Sequence, residues 1–184
     1  MNEFQSYYRG DLARYGHIRL DWWMRRFHFY HRKVNTCRNP FLRKLYLVRY
    51  VMLSRKHGVE ISWRARIGRG FFIDHPYGIS INSDAVLGEN VNLSKGVTIG
   101  KENRGVRKGA PTIGSRVWIG VNATIVGNIT IGDDVLIAPN AFVNRSIPAH
   151  SVVVGNPCSW VHRDGATEGY INSRIPESGT DGLC

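Results

Sequence analysis

Residues 112–143 read TIGSRVWIGVNATIVGNITIGDDVLIAPNAFV, and an aliphatic residue returns at every sixth position of this stretch. The same period extends upstream, interrupted by a two-residue shift and by one polar segment. An α-helix requires a period of 3.6 and a flat strand a period of 2, so neither explains the pattern. The fourteen aliphatic positions are Ile61, Ile67, Ile73, Ile79, Ile81, Leu87, Leu93, Ile99, Ile113, Ile119, Ile125, Ile131, Ile137 and Val143.

A period of six with one inward aliphatic residue predicts a parallel β-solenoid, in which each hexad forms a short strand and a turn. Three hexads close one triangular coil, so that each aliphatic side chain stacks on its equivalents one coil above and below. The chain of 184 residues is long enough for one such domain with an appendage. We expect a helical region at 1–57, the solenoid at 58–163 with a protruding loop at 101–111, and a flexible tail at 164–184.

The net charge of +11 is concentrated in residues 1–57, which hold 13 Lys/Arg against three acids. Apolar residues at three- and four-residue spacing predict two helices there, over about 20–30 and 41–53, separated by a break at 35–40. Aromatic and basic residues alternate in the first of them. Such a helix either packs its rings on the rest of the protein or lies on an anionic membrane surface. No nucleic-acid-binding motif is present, so we expect no nucleic-acid partner.

Composition excludes other classes of protein. No apolar stretch is long enough to span a bilayer, and the N-terminus lacks the apolar region of a secretion signal. Three cysteines without a CxxC pair argue against a disulfide framework or a thiolate zinc site. We therefore expect a cytoplasmic protein without a metal, with peripheral contact at the inner membrane face as an open alternative.

Several motifs resemble those of the hexapeptide-repeat acyltransferases, in their serine acetyltransferase branch. They are IGRGFFIDHPYGISI at 67–81, GVTIG at 96–100, PTIG at 111–114 and VGNP at 154–157. The resemblance implies a left-handed parallel β-helix, a homotrimer and acetyl-CoA as co-substrate. It also implies an O-acetyltransferase with His75 as the catalytic histidine, Asp74 as its neighbour on the substrate side and Glu60 at the position of the histidine-orienting aspartate.

Acetyl transfer to a hydroxyl requires removal of the hydroxyl proton as the oxygen attacks the thioester carbonyl. A histidine suits this step because imidazole exchanges a proton near neutral pH. A carboxylate on the other ring nitrogen would fix the tautomer, and Glu60 is the first candidate, with Asp74, Asp11 or Asp21 as alternatives. His75 follows inward-pointing Ile73 by two residues, so we expect it on the outer surface near a corner.

The resemblance further implies that coenzyme A lies in a groove between neighbouring solenoids. Small residues would line its pantetheine path, and basic residues would meet its phosphates. The predicted cofactor-binding residues are Gly100, Lys101, Gly120, Ala138 and Arg163.

One departure from the family motifs bears on the acceptor. Serine acetyltransferases carry an Arg-His pair before the proline of the loop, where this chain has Gly109 and Ala110. That departure, together with the shorter N-terminal region, led us to expect a sugar hydroxyl in capsule, exopolysaccharide or lipid-linked glycan synthesis. Serine O-acetylation in cysteine biosynthesis is the first alternative. A non-catalytic trimeric scaffold that docks on membranes is the second.

Overall fold

The computed structural model describes residues 2–177, which form three helices followed by a β-solenoid of about five turns. The helices are α1 (Glu3–Ala13), α2 (Trp22–Thr36) and α3 (Pro40–His57). The solenoid strands are β1 (Val59–Ile61), β2 (Arg66–Ile67), β3 (Phe72–Ile73), β4 (Ile79–Ile81), β5 (Val86–Leu87), β6 (Asn92–Leu93), β7 (Thr98–Gly100), β8 (Thr112–Ile113), β9 (Val117–Ile119), β10 (Thr124–Val126), β11 (Thr130–Ile131), β12 (Val135–Ile137), β13 (Phe142–Val143), β14 (Ser151–Val154) and β15 (Ser159–His162).

The strands form three sheets, and every third strand along the chain pairs in parallel. Sheet A has the order β1-β4-β7-β10-β13, sheet B the order β11-β8-β5-β2, and sheet C the order β15-β14-β12-β9-β6-β3. Two pairings at the end of the solenoid differ: β14 pairs in parallel with β12, two strands before it, and β15 runs antiparallel to β14. Each of the first four coils thus contributes one strand to each face of a triangular prism, and the fifth contributes only an isolated bridge, Ile131 to Ile147, to sheet B. The predicted left-handed parallel β-helix, preceded by a helical region, is confirmed.

All fourteen aliphatic positions of the repeat are buried, with at most 6% of any of them exposed. Ile73 pairs with Leu93 across sheet C, and Ile81 with Ile99 across sheet A, so like residues stack along the prism axis. The stacked aliphatic column supplies the apolar burial that a two- or three-residue strand cannot supply alone.

The helices close the open end of the first coil. Strands β1, β2 and β3 have no preceding coil, so their outer edges present backbone groups that require partners. Arg32 of α2 donates to the carbonyl oxygens of Ile67 (2.6 Å) and Gly68 (2.7 Å), and Tyr50 of α3 donates to that of Ile61 (2.6 Å). Asp11 of α1 accepts from the Phe71 N–H at 3.0 Å.

The aromatic segment that we considered for membrane contact is α2, and its inner side packs on the solenoid. Trp23, Met24 and Phe27 are buried in the same core as the hexad residues, and Arg32 is buried in an ion pair with Asp11 (2.7 Å). These residues are therefore unavailable to a bilayer. For these residues the structure shows the first of the two alternatives, packing on the rest of the protein.

Residues 164–177, which we expected to be flexible, lie along the solenoid. The Asp134 carboxylate accepts from the backbone N–H groups of Ala166 (3.1 Å) and Thr167 (3.0 Å), and the Tyr170 ring packs on Trp118 at 5.0 Å. Buried polar acceptors on the coils therefore hold this segment. The amino-acid composition of the segment does not indicate such contacts. Residues 178–184 of the predicted tail lie outside the described residues.

Candidate active site

His75 lies in an insertion at the corner where the chain passes from sheet C to sheet A. In the first coil six residues separate Ile73 from Ser80, whereas in the second four residues separate their partners Leu93 and Thr98. The first coil therefore carries two extra residues at this corner. The shift of the hexad register between Ile79 and Ile81 is the sequence signal of this insertion. We call residues 74–78 the His75 corner.

The insertion turns His75 outward. Its backbone has a positive φ of 50°, and 71% of its side chain is exposed. Its carbonyl oxygen accepts from the Tyr77 N–H at 2.8 Å, while the Asp74 N–H donates to the Leu93 carbonyl at 2.7 Å and ties the corner to the second coil. The prediction of a surface position near a corner therefore agrees with the structure. The imidazole is free to meet a ligand or another subunit.

Asp74 is the carboxylate nearest to the ring. Its Oδ1 lies 3.6 Å from His75 Nε2, which is a loose ion pair and too long for a hydrogen bond. Glu60 lies on the exposed side of β1, opposite Ser80 of β4. Within residues 2–177 no hydrogen bond or ion pair joins Glu60 to His75. The structure therefore brings Asp74 to His75 and leaves Glu60 as a neighbour on the adjoining face.

Glu60 lines a cleft of about 760 Å³ between α3 and the first two strands of sheet A. Gly58 and Gly78 form its edge next to the His75 corner, and the Gly78 N–H donates to the Gly58 carbonyl at 2.9 Å. Trp63 contributes an aromatic wall, with the guanidinium of Arg43 at 5.2 Å from its ring centre. The hexad pattern gave no indication of this cleft, because α3 forms one of its walls.

The aspartates of the N-terminal region do not orient His75 in this structure. Asp11 is fully buried beneath the first coil, where it is paired with Arg32. Burial alone would raise the pKa of Asp11, but Arg32 and His28 overcome this and lower the pKa to about 2. Asp21 is exposed and stands at the N-terminus of α2.

Two of the predicted cofactor residues share the corner of His75. Gly120 and Ala138 follow β9 and β12, and they occupy the same passage from sheet C to sheet A two and three coils further along. With neighbouring coils about 4.8 Å apart, they lie about 10 and 14 Å from the His75 level along the prism axis. A Cβ on Gly120 would stand 2.7 Å from the Pro139 nitrogen, so close packing between coils also requires this glycine.

The other predicted cofactor residues lie elsewhere on the prism. Gly100 ends β7 on sheet A, one face away from the His75 corner, and Lys101 next to it forms an ion pair with Asp84 at 2.7 Å. The hydrogen bond from Lys101 lowers the pKa of Asp84. Arg163 follows β15 at the far end of the solenoid and is exposed. A single chain therefore does not assemble all five positions.

The polar interruption of the repeat forms a hairpin-like loop. Glu102 and Gly109 exchange backbone hydrogen bonds at 3.0 Å, and Arg107 pairs with Glu102 at 3.1 Å. Gly109 has a φ of 138°, and a Cβ there would stand 2.9 Å from the Asn128 Cβ. The loop conformation of this chain therefore leaves no room for a side chain at residue 109. Within the described residues, no group of three metal-binding side chains converges.

Comparison with known proteins shows what the chain is similar to. Residues 110–145 match the family model described as bacterial transferase hexapeptide (six repeats). A serine acetyltransferase of Helicobacter pylori is 40% identical over 107 residues, which cover 58% of this chain and 63% of that protein.

Solved structures extend the similarity beyond the repeat. The serine acetyltransferase of Neisseria gonorrhoeae, in complex with serine, has a TM-score of 0.68 and 29% identity, and the match covers 85% of this chain and 68% of that one. That of Brucella abortus has a TM-score of 0.71 and 27% identity, with 90% and 71% covered. The chain spans less than two thirds of the length of the sequence relatives it matches, with 63% and 50% for two of them.

Proposed function

Because the chain belongs to the hexapeptide-repeat acyltransferases, in the serine acetyltransferase-like branch, we propose that it transfers an acetyl group from acetyl-CoA to the hydroxyl of a small acceptor. The observation that carries the proposal is the outward-facing Asp74–His75 pair in a corner insertion, with a cleft beside it. Insertions on a rigid scaffold commonly carry function, and no packing requirement of the prism calls for an exposed histidine at that point.

His75 is the general base in this proposal. Its ring nitrogen accepts the hydroxyl proton as the acceptor oxygen attacks the thioester carbonyl, which forms a tetrahedral oxyanion. Collapse of that intermediate breaks the carbon–sulfur bond, and the imidazolium returns the proton to the leaving thiolate. The products are an acetyl ester and free coenzyme A, so no oxidant or metal is consumed.

Asp74 and Glu60 have separate roles in this scheme. Asp74 is close enough to stabilise the imidazolium through space once His75 has taken the proton. Glu60, which lines the adjoining cleft, remains the candidate for orienting the ring after a small movement of the corner, or for contacting the acceptor. These roles differ in kinetics, because an orienting residue affects kcat while an acceptor contact affects KM.

We place the coenzyme A site between protomers of a homotrimer. Gly120 and Ala138 lie along the corner of His75, whereas Gly100, Lys101 and Arg163 do not. A groove between two solenoids can combine residues from different faces of two chains, which one chain cannot do. The high exposure of His75 is compatible with a site completed by a neighbouring subunit.

L-serine is the acceptor that the comparisons favour, since the similar proteins are serine acetyltransferases and one is bound to serine. Our expectation of a sugar acceptor in polysaccharide synthesis gains no support from them. One observation keeps a sugar hydroxyl as the second candidate. The loop excludes a side chain at residue 109, so the usual arginine of that segment cannot bind an acceptor carboxylate there.

The test is thiol release from acetyl-CoA by the wild-type chain and by His75→Ala, first with L-serine and then with sugar acceptors. We expect serine-dependent release, and a loss of at least about a hundredfold in kcat on removal of the general base. His17→Ala, at an exposed histidine outside the solenoid, is the matched control.

The outcomes separate the alternatives. Release that depends on a sugar and not on serine would replace serine by the second acceptor. Coenzyme A binding without release for any acceptor would favour a silent scaffold and would contradict the enzyme assignment. Glu60→Gln and Asp74→Asn then divide the remaining roles by their effects on kcat and KM.

A further inference from the structure

Helix α3 has apolar residues on two opposite sides, and only one side is covered. Tyr50 packs inward and is 2% exposed. On the opposite side Phe41, Leu45, Val48 and Met52 follow at intervals of four, three and four residues, which places them in one stripe. They are 83%, 52%, 55% and 60% exposed. We call this stripe the α3 outer face.

Basic residues border the α3 outer face on both sides. At about 100° per residue, Lys44 and Arg55 fall on one flank of the stripe and Arg49 and Lys56 on the other. All four are exposed, and none forms an ion pair with a carboxylate among the residues that the structure describes. From residue 22 to residue 58 the chain has ten Lys/Arg and neither Asp nor Glu.

The neighbouring helix extends the same surface. Trp22, at the start of α2, is 59% exposed and borders a shallow depression together with Met52 and Arg49. The Arg26 guanidinium lies 5.1 Å from the Trp22 ring centre. The surface thus combines an exposed indole ring, an apolar stripe about 17 Å long and cations at its margins.

We propose that the α3 outer face binds the surface of an anionic phospholipid bilayer. In this mode the helix lies parallel to the membrane, its apolar stripe enters the boundary between headgroups and acyl chains, and the flanking cations contact anionic headgroups. Tryptophan suits the interface because its ring is apolar and its N–H is polar. None of the helices described is both long and apolar enough to cross a bilayer, so this contact is peripheral.

The positive charge of the α3 outer face argues for an anionic bilayer as its partner rather than a second copy of the chain. The spacing of the stripe would suit the seam of a coiled coil, but the flanking positions of such a pair would then place positive charge against positive charge. A nucleic acid would satisfy the cations, but it would leave four aliphatic and aromatic side chains in water. An anionic bilayer satisfies both the charges and the stripe.

The experiment is sedimentation of the full chain with vesicles of phosphatidylcholine, with and without phosphatidylglycerol. We expect binding to the anionic vesicles only, weakened by added salt. Arg49→Glu with Lys56→Glu should reduce the partition coefficient by at least about tenfold, because each cation near an anionic surface contributes about fivefold. Leu45→Ser with Met52→Ser should also reduce it severalfold.

Matched controls lie at the far end of the solenoid. Arg145→Glu and Val161→Ser alter an exposed cation and an exposed aliphatic side chain there, and both should bind as the wild type does. Circular dichroism and thiol release without vesicles check that the α3 variants remain folded. This inference is independent of the proposed reaction, so a loss of binding with unchanged thiol release supports it.

Three results would overturn the proposal. The first is a wild-type chain that stays in the supernatant with anionic vesicles at low salt. The second is self-association that Met52→Ser abolishes without any vesicle binding, which would assign the face to a second copy. The third is binding to duplex DNA that equals vesicle binding and is unaffected by Leu45→Ser with Met52→Ser.

Discussion

The solenoid and the helical region solve the same problem, the burial of a hydrophobic core, with different chemistry. In the solenoid, aliphatic side chains stack on their own kind and the backbone of each coil bonds the next. The helical region also buries apolar side chains, but it adds charged and hydroxyl side chains that bond the exposed edge of the first coil. The difference follows from position, since an interior coil has two neighbours and the first coil has one.

This contrast shows why a repeat requires a cap of another kind. A coil can satisfy the polar groups of the next coil, but the first one leaves donors and acceptors that only an outside element can pair. Arg32 meets two of the edge carbonyls and at the same time pairs with Asp11. Because both charges are buried and compensate each other, removing either one would leave an uncompensated charge inside the protein.

The largest expected effect comes from Arg32→Met. This change leaves the Asp11 carboxylate buried without its main partner and the Ile67 and Gly68 carbonyls without their donor. We expect the free energy of unfolding to fall by about 3–5 kcal/mol, measured by guanidinium denaturation. Arg26→Met, at an exposed arginine of the same helix, should change it by less than about 1 kcal/mol. Equal effects of the two variants would contradict the cap argument.

The period of six was sufficient to predict the solenoid because every aliphatic position of the repeat must point into the core. All fourteen positions that the sequence pattern predicts to point inward are buried in the structure. The cap could not be predicted in this way, because Asp11 and Arg32 are residue types that usually lie on the surface. Their burial depends on which backbone groups they meet, and that information is in the three-dimensional arrangement alone.

The candidate site likewise has one part that the sequence predicted and another that depends on the three-dimensional arrangement. The position of His75 two residues after inward-pointing Ile73 predicted a surface corner, and the structure has one. The cleft beside it requires α3, so the sequence pattern could not predict that Glu60 would line this cleft without a hydrogen bond to the His75 ring. The sequence also indicated a basic aromatic segment, but it did not show that most of the aromatic side of α2 packs inward while one side of α3 stays exposed.

A buried histidine makes the helical cap sensitive to pH. Burial, with Arg32 and His28 nearby, lowers the pKa of His31 to about 3, although Asp11 opposes the shift. Neither ring nitrogen has a hydrogen-bond partner among residues 2–177, and the ring stacks on Phe27. In the unfolded chain, therefore, the His31 imidazole binds a proton below about pH 6.5, whereas in the folded chain it does so only near pH 3. Stability is lost as the pH falls through this window.

His31→Phe should remove that loss and keep the ring stacking. At pH 5 we expect the variant to gain about 2 kcal/mol relative to the wild type, beyond any difference at pH 7.5. Guanidinium denaturation at the two pH values measures it. His17→Phe, at an exposed histidine, should leave the pH dependence unchanged. The argument fails if His31→Phe and the wild type lose stability in parallel between these pH values.

The smallest expected effect concerns the start of α3, the helix on which both the cleft and the α3 outer face depend. The Asn39 side chain accepts from the backbone N–H groups of Phe41 (3.0 Å) and Leu42 (3.1 Å), and Pro40 sets the first turn. Asn39→Ala removes this cap and should lower the free energy of unfolding by about 1 kcal/mol. Asn39→Ser retains an acceptor and should recover most of it.

Because Tyr50 holds α3 to the first coil near its other end, we expect Asn39→Ala to fray the first turn at Phe41 without detaching the helix, which amide hydrogen exchange would resolve. Exchange that rises along the whole of α3 instead would mean that the helix is held from its first turn rather than by Tyr50.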